Sequence, residues 1–219
     1  MCGRFTLATA PEIVAEFFEL SVKPDWPPRY NIAPTQAIAT IVQAGSERVF
    51  ALRRWGLIPP WAKEASIGAR MINARAETVA SKPSFRSAFR TRRCLVIADG
   101  FYEWAKFARG KQPHYIRMAD EAPFAFAGLW ERWDGCGNAV ESCTIITTTP
   151  NDLVRKIHDR MPVILHPQDY DRWLDLQDDD VTKREALLRP YPAERMKAYA
   201  VGVRVNSPAR DDPQCVAPL

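Results

Sequence analysis

A chain of 219 residues with 47% hydrophobic and 26% charged side chains is long enough for a sizeable core and ordinary for a globular protein. No apolar run approaches the roughly 18 residues of a spanning helix and no basic-then-apolar leader opens the chain, which excludes a helical membrane protein and reads as cytoplasmic. Five cysteines (Cys2, Cys94, Cys136, Cys143, Cys215) without a CxxC pair or partnered histidines argue against a disulfide framework or a zinc site, and a net charge of +4 is compatible with nucleic acid without requiring it.

In TAPEIVAEFFEL, Thr9 and Glu12 match a capping box, Pro11 sits in the first turn, and Ile13, Val14, Phe17 and Phe18 form one apolar stripe. A short helix is predicted there. SVKPDWPPRYNIAPTQ is too rich in proline for a helix or a central strand and reads as an ordered loop. AIATIVQ and RVFALRRW read as a hairpin through Ala44-Gly45-Ser46. RWGLIPPWAKEASIG is irregular and leads into MINARAET. FRSAFRTRRC groups Arg86, Arg90, Arg92 and Arg93, and DLQDDD at 175–180 is acidic; both runs read as solvated faces.

CLVIADGFYEW is a buried strand that breaks at Asp99-Gly100, and HYIRMA, PFAFAGLWERW and SCTIITTT add short strands. PNDLVRKIHD, with Leu153, Val154 and Ile157 on one face, predicts a helix. PQDYDRWLDL and TKREALLRPY follow as helices, and AYAVGVRV is a last strand. Strands in the middle and helices toward the ends predict one α+β domain over residues 1–219, a mostly antiparallel, barrel-like β core with peripheral helices.

Four stretches place a polar side chain where packing alone does not ask for one. These are Cys2 behind the initiator methionine, Asn73 between Ile72 and Ala74, Glu103 between Tyr102 and Trp104, and His158 before Asp159-Arg160. A carboxylate flanked by aromatics is either outward-facing on a strand or raised in pKa by desolvation. An exposed α-amine at Cys2 is a good nucleophile: with a reference pKa of about 7.7–8.0, roughly a tenth is neutral at pH 7, against well under a thousandth of lysine side chains.

MCGRF, RYNIAPTQ, RWGLIPPW, INARAET, DGFYEW, IHDRMPVIL and VNSPARDDPQC resemble, in order and approximate spacing, the motifs of the SOS response-associated peptidase family, also called abasic site processing proteins. The resemblance implies that Met1 is removed, by the protein itself or by a housekeeping aminopeptidase. Cys2 then joins abasic sites in single-stranded DNA through a thiazolidine ring. It implies catalytic roles for Cys2, Asn73, Glu103 and His158, with Asn73 holding the Cys2 amine or the sugar, Glu103 as acid/base, and His158 assisting ring opening and proton transfer. Arg4, Asn31, Pro34, Trp61, Arg75, Thr147 and Arg160 fall in its DNA-contact motifs; Trp61 could instead pack in the core. Ala62 stands where many relatives have a second tryptophan. No cofactor, metal, membrane or obligatory protein partner is implied, and a monomer is expected. The rivals are an N-terminal-nucleophile amidohydrolase, since MCG also opens class II glutamine amidotransferases, and a non-catalytic DNA-damage binding module.

Overall fold

The computed structural model describes residues 2–108, 110–135, 137, 139–177 and 179–219. Met1 and Cys136, on which the sequence placed expectations, lie outside them. The chain begins with β1 (Phe5–Leu7), α1 (Pro11–Phe17), β2 (Arg29–Ile32) and the hairpin of β3 (Ala37–Ala44) and β4 (Glu47–Trp55). Gly45 turns that hairpin at φ 62°, a left-handed conformation glycine adopts without strain. After an irregular stretch with one 3₁₀ turn at Ala65–Arg70 come β5 (Asn73–Arg75), α2 (Arg86–Thr91), β6 (Arg93–Ala98) and β7 (Gly100–Phe107). Then follow β8 (Gly110–Met118), β9 (Phe124–Trp133) and β10 (Val140–Thr148). The short β11 (Met161–Pro162) and β12 (Ile164–Leu165), the helices α3 (Tyr170–Leu174) and α4 (Val181–Glu185), and β13 (Met196–Ala200) complete the order.

One sheet runs β13-β8-β7-β1-β2 with every pairing antiparallel. In the other, β10-β4-β3-β6-β9 closes on itself because β9 also pairs with β10, giving a five-stranded barrel. Only the β10–β4 pairing in that ring is parallel, and β5 continues the same edge of β10, also in parallel. The expected α+β class with a mostly antiparallel, barrel-like core is what the chain forms. All six residues of β6 are buried, as its unbroken apolar run requires. Phe5 of β1 meets Trp55 edge-on at 5.2 Å and Phe126 at 5.9 Å, so one aromatic wedge joins the two sheets three residues beyond Cys2.

Several local expectations fail for identifiable reasons. The capping box at Thr9 does not form: the Thr9 hydroxyl donates to Asp99 Oδ2 at 2.9 Å, and α1 starts after Ala10 with no side-chain cap. The proline-rich loop contains β2, because Arg29–Ile32 lies along the open edge of β1 (Phe5 opposite Ile32, Leu7 opposite Arg29). The helix expected in PNDLVRKIHD is a single 3₁₀ turn, Val154–Lys156. Asn151 Oδ1 accepts from Val154 N at 2.9 Å to start it, and Met161–Pro162 must already be extended to pair with β10. The basic run is partly internal: Arg93 is buried and donates to the carbonyls of Phe89, Arg90, Trp173 and Asp175, closing the ends of α2 and α3. This bond to Asp175 draws the start of the acidic run against the end of the basic one.

Asp99, at the corner between β6 and β7, anchors the start of the chain. Its Oδ2 accepts from Ala8 N (2.6 Å) and Thr9 N (2.7 Å), and its Oδ1 from the Thr6 hydroxyl. Next to it, Gly100 opposes Thr6, and a Cβ there would lie 2.1 Å from Tyr115 Oη, so only glycine lets β7 approach. Charge-assisted bonds of this kind contribute more than neutral ones, and removing the carboxylate leaves backbone donors without partners. Asp99→Ala is expected to lower unfolding free energy by about 2–3 kcal/mol in urea titration.

Candidate active site around Cys2

Cys2 is completely buried immediately before β1. The β1–β7 ladder sets what it faces: Phe5 opposes Phe101 and Tyr102 N donates to Arg4 O at 3.0 Å, so one step further along β7 brings Glu103 to the cysteine's end of the strand. Asn73, first residue of β5, arrives from the other sheet through its parallel pairing with Ile145 of β10. Its Nδ2 donates to the Cys2 carbonyl at 2.8 Å. Its Oδ1 is shielded from solvent and has no hydrogen-bond partner among the described residues, an acceptor turned inward with nothing to accept from.

Glu103 is 2% exposed, and burial pushes its carboxyl up to about 7, so acid and base forms coexist near neutral pH. Burial, reinforced by the negative charge of Glu103, holds the Cys2 thiol well above the ordinary thiol range. It is therefore protonated until a base takes its proton. His158 lies in the loop after the 3₁₀ turn, with Nε2 3.9 Å from Glu103 Oε2. Burial lowers its pKa, favouring the neutral ring. Its Nδ1 stands 3.1 Å from the backbone N–H of Arg160 and 3.0 Å from Asp159 Oδ1. The neutral ring accepts from Arg160, and the charged ring donates to Asp159. Both protonation states have a partner, as a proton shuttle requires.

The four candidate catalytic residues thus meet at one place, drawn from four separate segments. The expected DNA-contact residues do not. Trp61 is 59% exposed, which rules out core packing for it. Arg75 is exposed and makes no ion pair among the described residues. Pro34 is half-buried beside Thr35, whose φ is 72°. Asn31 is fully buried, and its Nδ2 donates to the carbonyls of Val205, Ser207 and Arg210. Arg4 donates to Asn31 Oδ1 (2.8 Å) and Val205 O (2.6 Å), tying the terminal segment down beside the site. Thr147 is also buried, and Arg160 is held by Glu77. In the DNA-free protein the side chains of Asn31 and Thr147 both donate to internal carbonyls.

Sequence reasoning gave no role to Glu77, Asp159, or the groove that leaves His158 between Trp104, Lys106, Arg155 and Lys156. Glu77 and Asp159 sit within recognised motifs; the groove is assembled from β7 and the 3₁₀ turn, and no sequence spacing encodes that pairing.

A buried cysteine near the start of the chain thus faces a carboxylate and an imidazole where the antiparallel sheet meets the barrel. The chain belongs to the SOS response associated peptidase family, which it matches over residues 1–208. It is 46% identical over 221 residues to the abasic site processing protein YoqW of Bacillus subtilis (strain 168), covering 99% of each. It is 31% identical over 265 residues to the abasic site processing protein HMCES of Xenopus tropicalis, covering all of this chain and 78% of that one. A crystal structure of a protein from Bacteroides thetaiotaomicron superposes with a TM-score of 0.90 at 29% identity over the full length of both.

Glu103 gives the site a pH signature. Its folded pKa of about 7 lies above the ordinary 4.5, so the folded state binds the proton more tightly than the unfolded state. The stability this confers is complete below pH 4.5 and is lost as pH rises to 7. The loss amounts to about 3 kcal/mol for a shift of this size. Glu103→Gln is expected to remove that component of the slope in denaturant titrations at pH 5 and pH 7.5; an unchanged slope contradicts the assignment.

Proposed function

We propose that the protein processes abasic sites in DNA by covalent capture at Cys2, in single-stranded DNA and without a metal or cofactor. The observation that carries this reading is the convergence on Cys2 of Asn73, Glu103 and His158, with Glu103 held near pKa 7. The relatives YoqW and HMCES are named abasic site processing proteins, in agreement with it.

The reaction needs a free amine at Cys2, so Met1 must first be removed. That step is hydrolysis of the Met1–Cys2 peptide bond with uptake of one water, and Glu103 is the group suited to serve as its base. The open abasic sugar carries an aldehyde. The Cys2 amine adds to its carbonyl carbon and water leaves, giving an imine. The Sγ–H then adds across the C=N bond: sulfur bonds to carbon, and its proton ends on nitrogen. The product is a five-membered thiazolidine, and the net change is aldehyde plus aminothiol to ring plus one water. His158 is positioned to carry protons to the ring oxygen during sugar opening. Asn73 Oδ1, lacking a donor, suits the freed amine.

Arg75 is the exposed cation for a flanking phosphate, and Trp61 for stacking on an unpaired base, worth about 1–3 kcal/mol. Arg4, Asn31, Pro34, Thr147 and Arg160 shape this surface. The protein acts as a monomer, in the cytoplasm and on damaged nucleoid DNA.

Substitutions at Cys2 separate amine from thiol. With a single-stranded oligonucleotide bearing one abasic site, Cys2→Ser and Cys2→Ala are expected to give heat-stable adducts only after borohydride reduction of the imine, whereas the native chain needs none. Glu103→Gln is expected to slow capture or Met1 removal by about 10²-fold while undamaged single strands still bind. Equal unreduced adduct from Cys2→Ala refutes the thiol's role.

A further inference from the structure

We propose that Glu77 is a positioning residue for His158, acting through the side chain and backbone of Arg160. This rests on the capture reaction above. Glu77 follows β5, the strand that carries Asn73, and its two carboxylate oxygens grip the Arg160 guanidinium at 2.5 and 3.0 Å. The contact is bidentate, the arrangement in which an arginine–carboxylate pair has the strongest orientational preference. The Arg160 side chain is only 14% exposed, against 48% for Glu77, and the hydrogen bond from Arg160 holds the Glu77 carboxyl below its usual range.

Arg160 Nη2 also donates to Thr147 O at 2.6 Å, the same carbonyl that accepts from Ala76 N at 2.9 Å. One guanidinium therefore ties β10, the exit of β5 and the 158–160 loop together. That loop is a short connection between a 3₁₀ turn and the two-residue β11, and His158 N also donates to the Val154 carbonyl at 2.8 Å. With the Arg160 side chain fixed, its backbone N–H points into His158 Nδ1 at 3.1 Å. Acceptance at Nδ1 places the neutral ring's proton on Nε2, the atom that faces Glu103.

The chain of contacts runs from Glu77 to Arg160 to His158 to Glu103, and Glu77 touches none of the reacting atoms. Both η nitrogens of Arg160 are engaged by Glu77 and Thr147, so in the DNA-free protein this arginine is a strut. Charges that also act on the ring are Asp159 beside it and Lys106 at the end of β7, with the Glu103 carboxyl of β7 3.9 Å from Nε2.

Glu77→Ala and Arg160→Lys, which keeps the charge but breaks the fork, are compared with the native chain; Glu77→Gln replaces the alanine variant if that one unfolds. Two readouts are taken. The first, which needs no DNA, is the NMR titration midpoint of the His158 ring. The second is the capture rate at saturating abasic oligonucleotide beside the affinity for undamaged single strands. The expected result is a His158 midpoint that rises toward the ordinary histidine value in each variant. The saturated rate falls about tenfold or more, a size typical of a misplaced catalytic group, and affinity changes less than twofold in the Glu77 variants. An unmoved midpoint overturns the proposal. So does an affinity change with the saturated rate intact, which would make Glu77 only a screen for the arginine's charge. A native chain that captures nothing refutes the capture reading, while the titration still decides the role of Glu77.

Discussion

The hydrogen bond from Asn73 Nδ2 to the Cys2 carbonyl is the constraint on which the site depends. It joins residue 2, which belongs to the antiparallel sheet, to a strand carried on the barrel. A chain end is ordinarily the least fixed part of a fold. Here the fraying is suppressed from both sides. Phe5 is wedged between Trp55 and Phe126, and Asp99 gathers the donors of residues 6, 8 and 9. Arg4 adds a third tether by holding the Val205 carbonyl. Cys2 is thereby held in place, its carbonyl accepting from Asn73 and its Sγ 3.9 Å from the Arg4 carbonyl.

Burial then sets the chemistry. The same desolvation that raises Glu103 to about 7 also keeps the Cys2 thiol protonated and the His158 ring neutral. Three groups that would be anion, thiol and partial cation in water are brought close to neutral forms. Transfer between two neutral groups would create an ion pair that burial disfavours, whereas the Glu103 carboxylate, present beside its acid form near pH 7, can take a proton without adding charge. In the proposed capture this orders the steps: the amine attacks first, and the thiol follows once a base beside it can take its proton.

The barrel class and the four catalytic candidates were legible in the chain because both have local signatures. Alternating and unbroken apolar runs mark β3, β4, β6 and β9, and unusual polar residues stand at Asn73 in β5 and Glu103 in β7. What was not legible is set by tertiary partners. Thr9 carries the residue type of a helix cap, but Asp99, ninety residues away in sequence, offers its hydroxyl a charged acceptor. Residues 150–159 have a helical apolar stripe, yet the need to pair Met161 and Pro162 with β10 leaves room for one turn. Asn31 and Thr147 lie in motifs but turn inward, a distinction that residue type does not carry. The Ala62 carbonyl accepts from Trp133 Nε1 at 2.8 Å, so the loop is fixed by its backbone while the Trp61 side chain stays exposed.

The most direct test of the central claim is intact mass. Protein shown to lack Met1 is incubated with a single-stranded oligonucleotide carrying one abasic site, then heated without reductant. The expected product weighs the sum of protein and oligonucleotide less one water, and Cys2 is its only modified residue on peptide mapping. A methionine-free protein that gives no such species, or one modified on a lysine, contradicts the account.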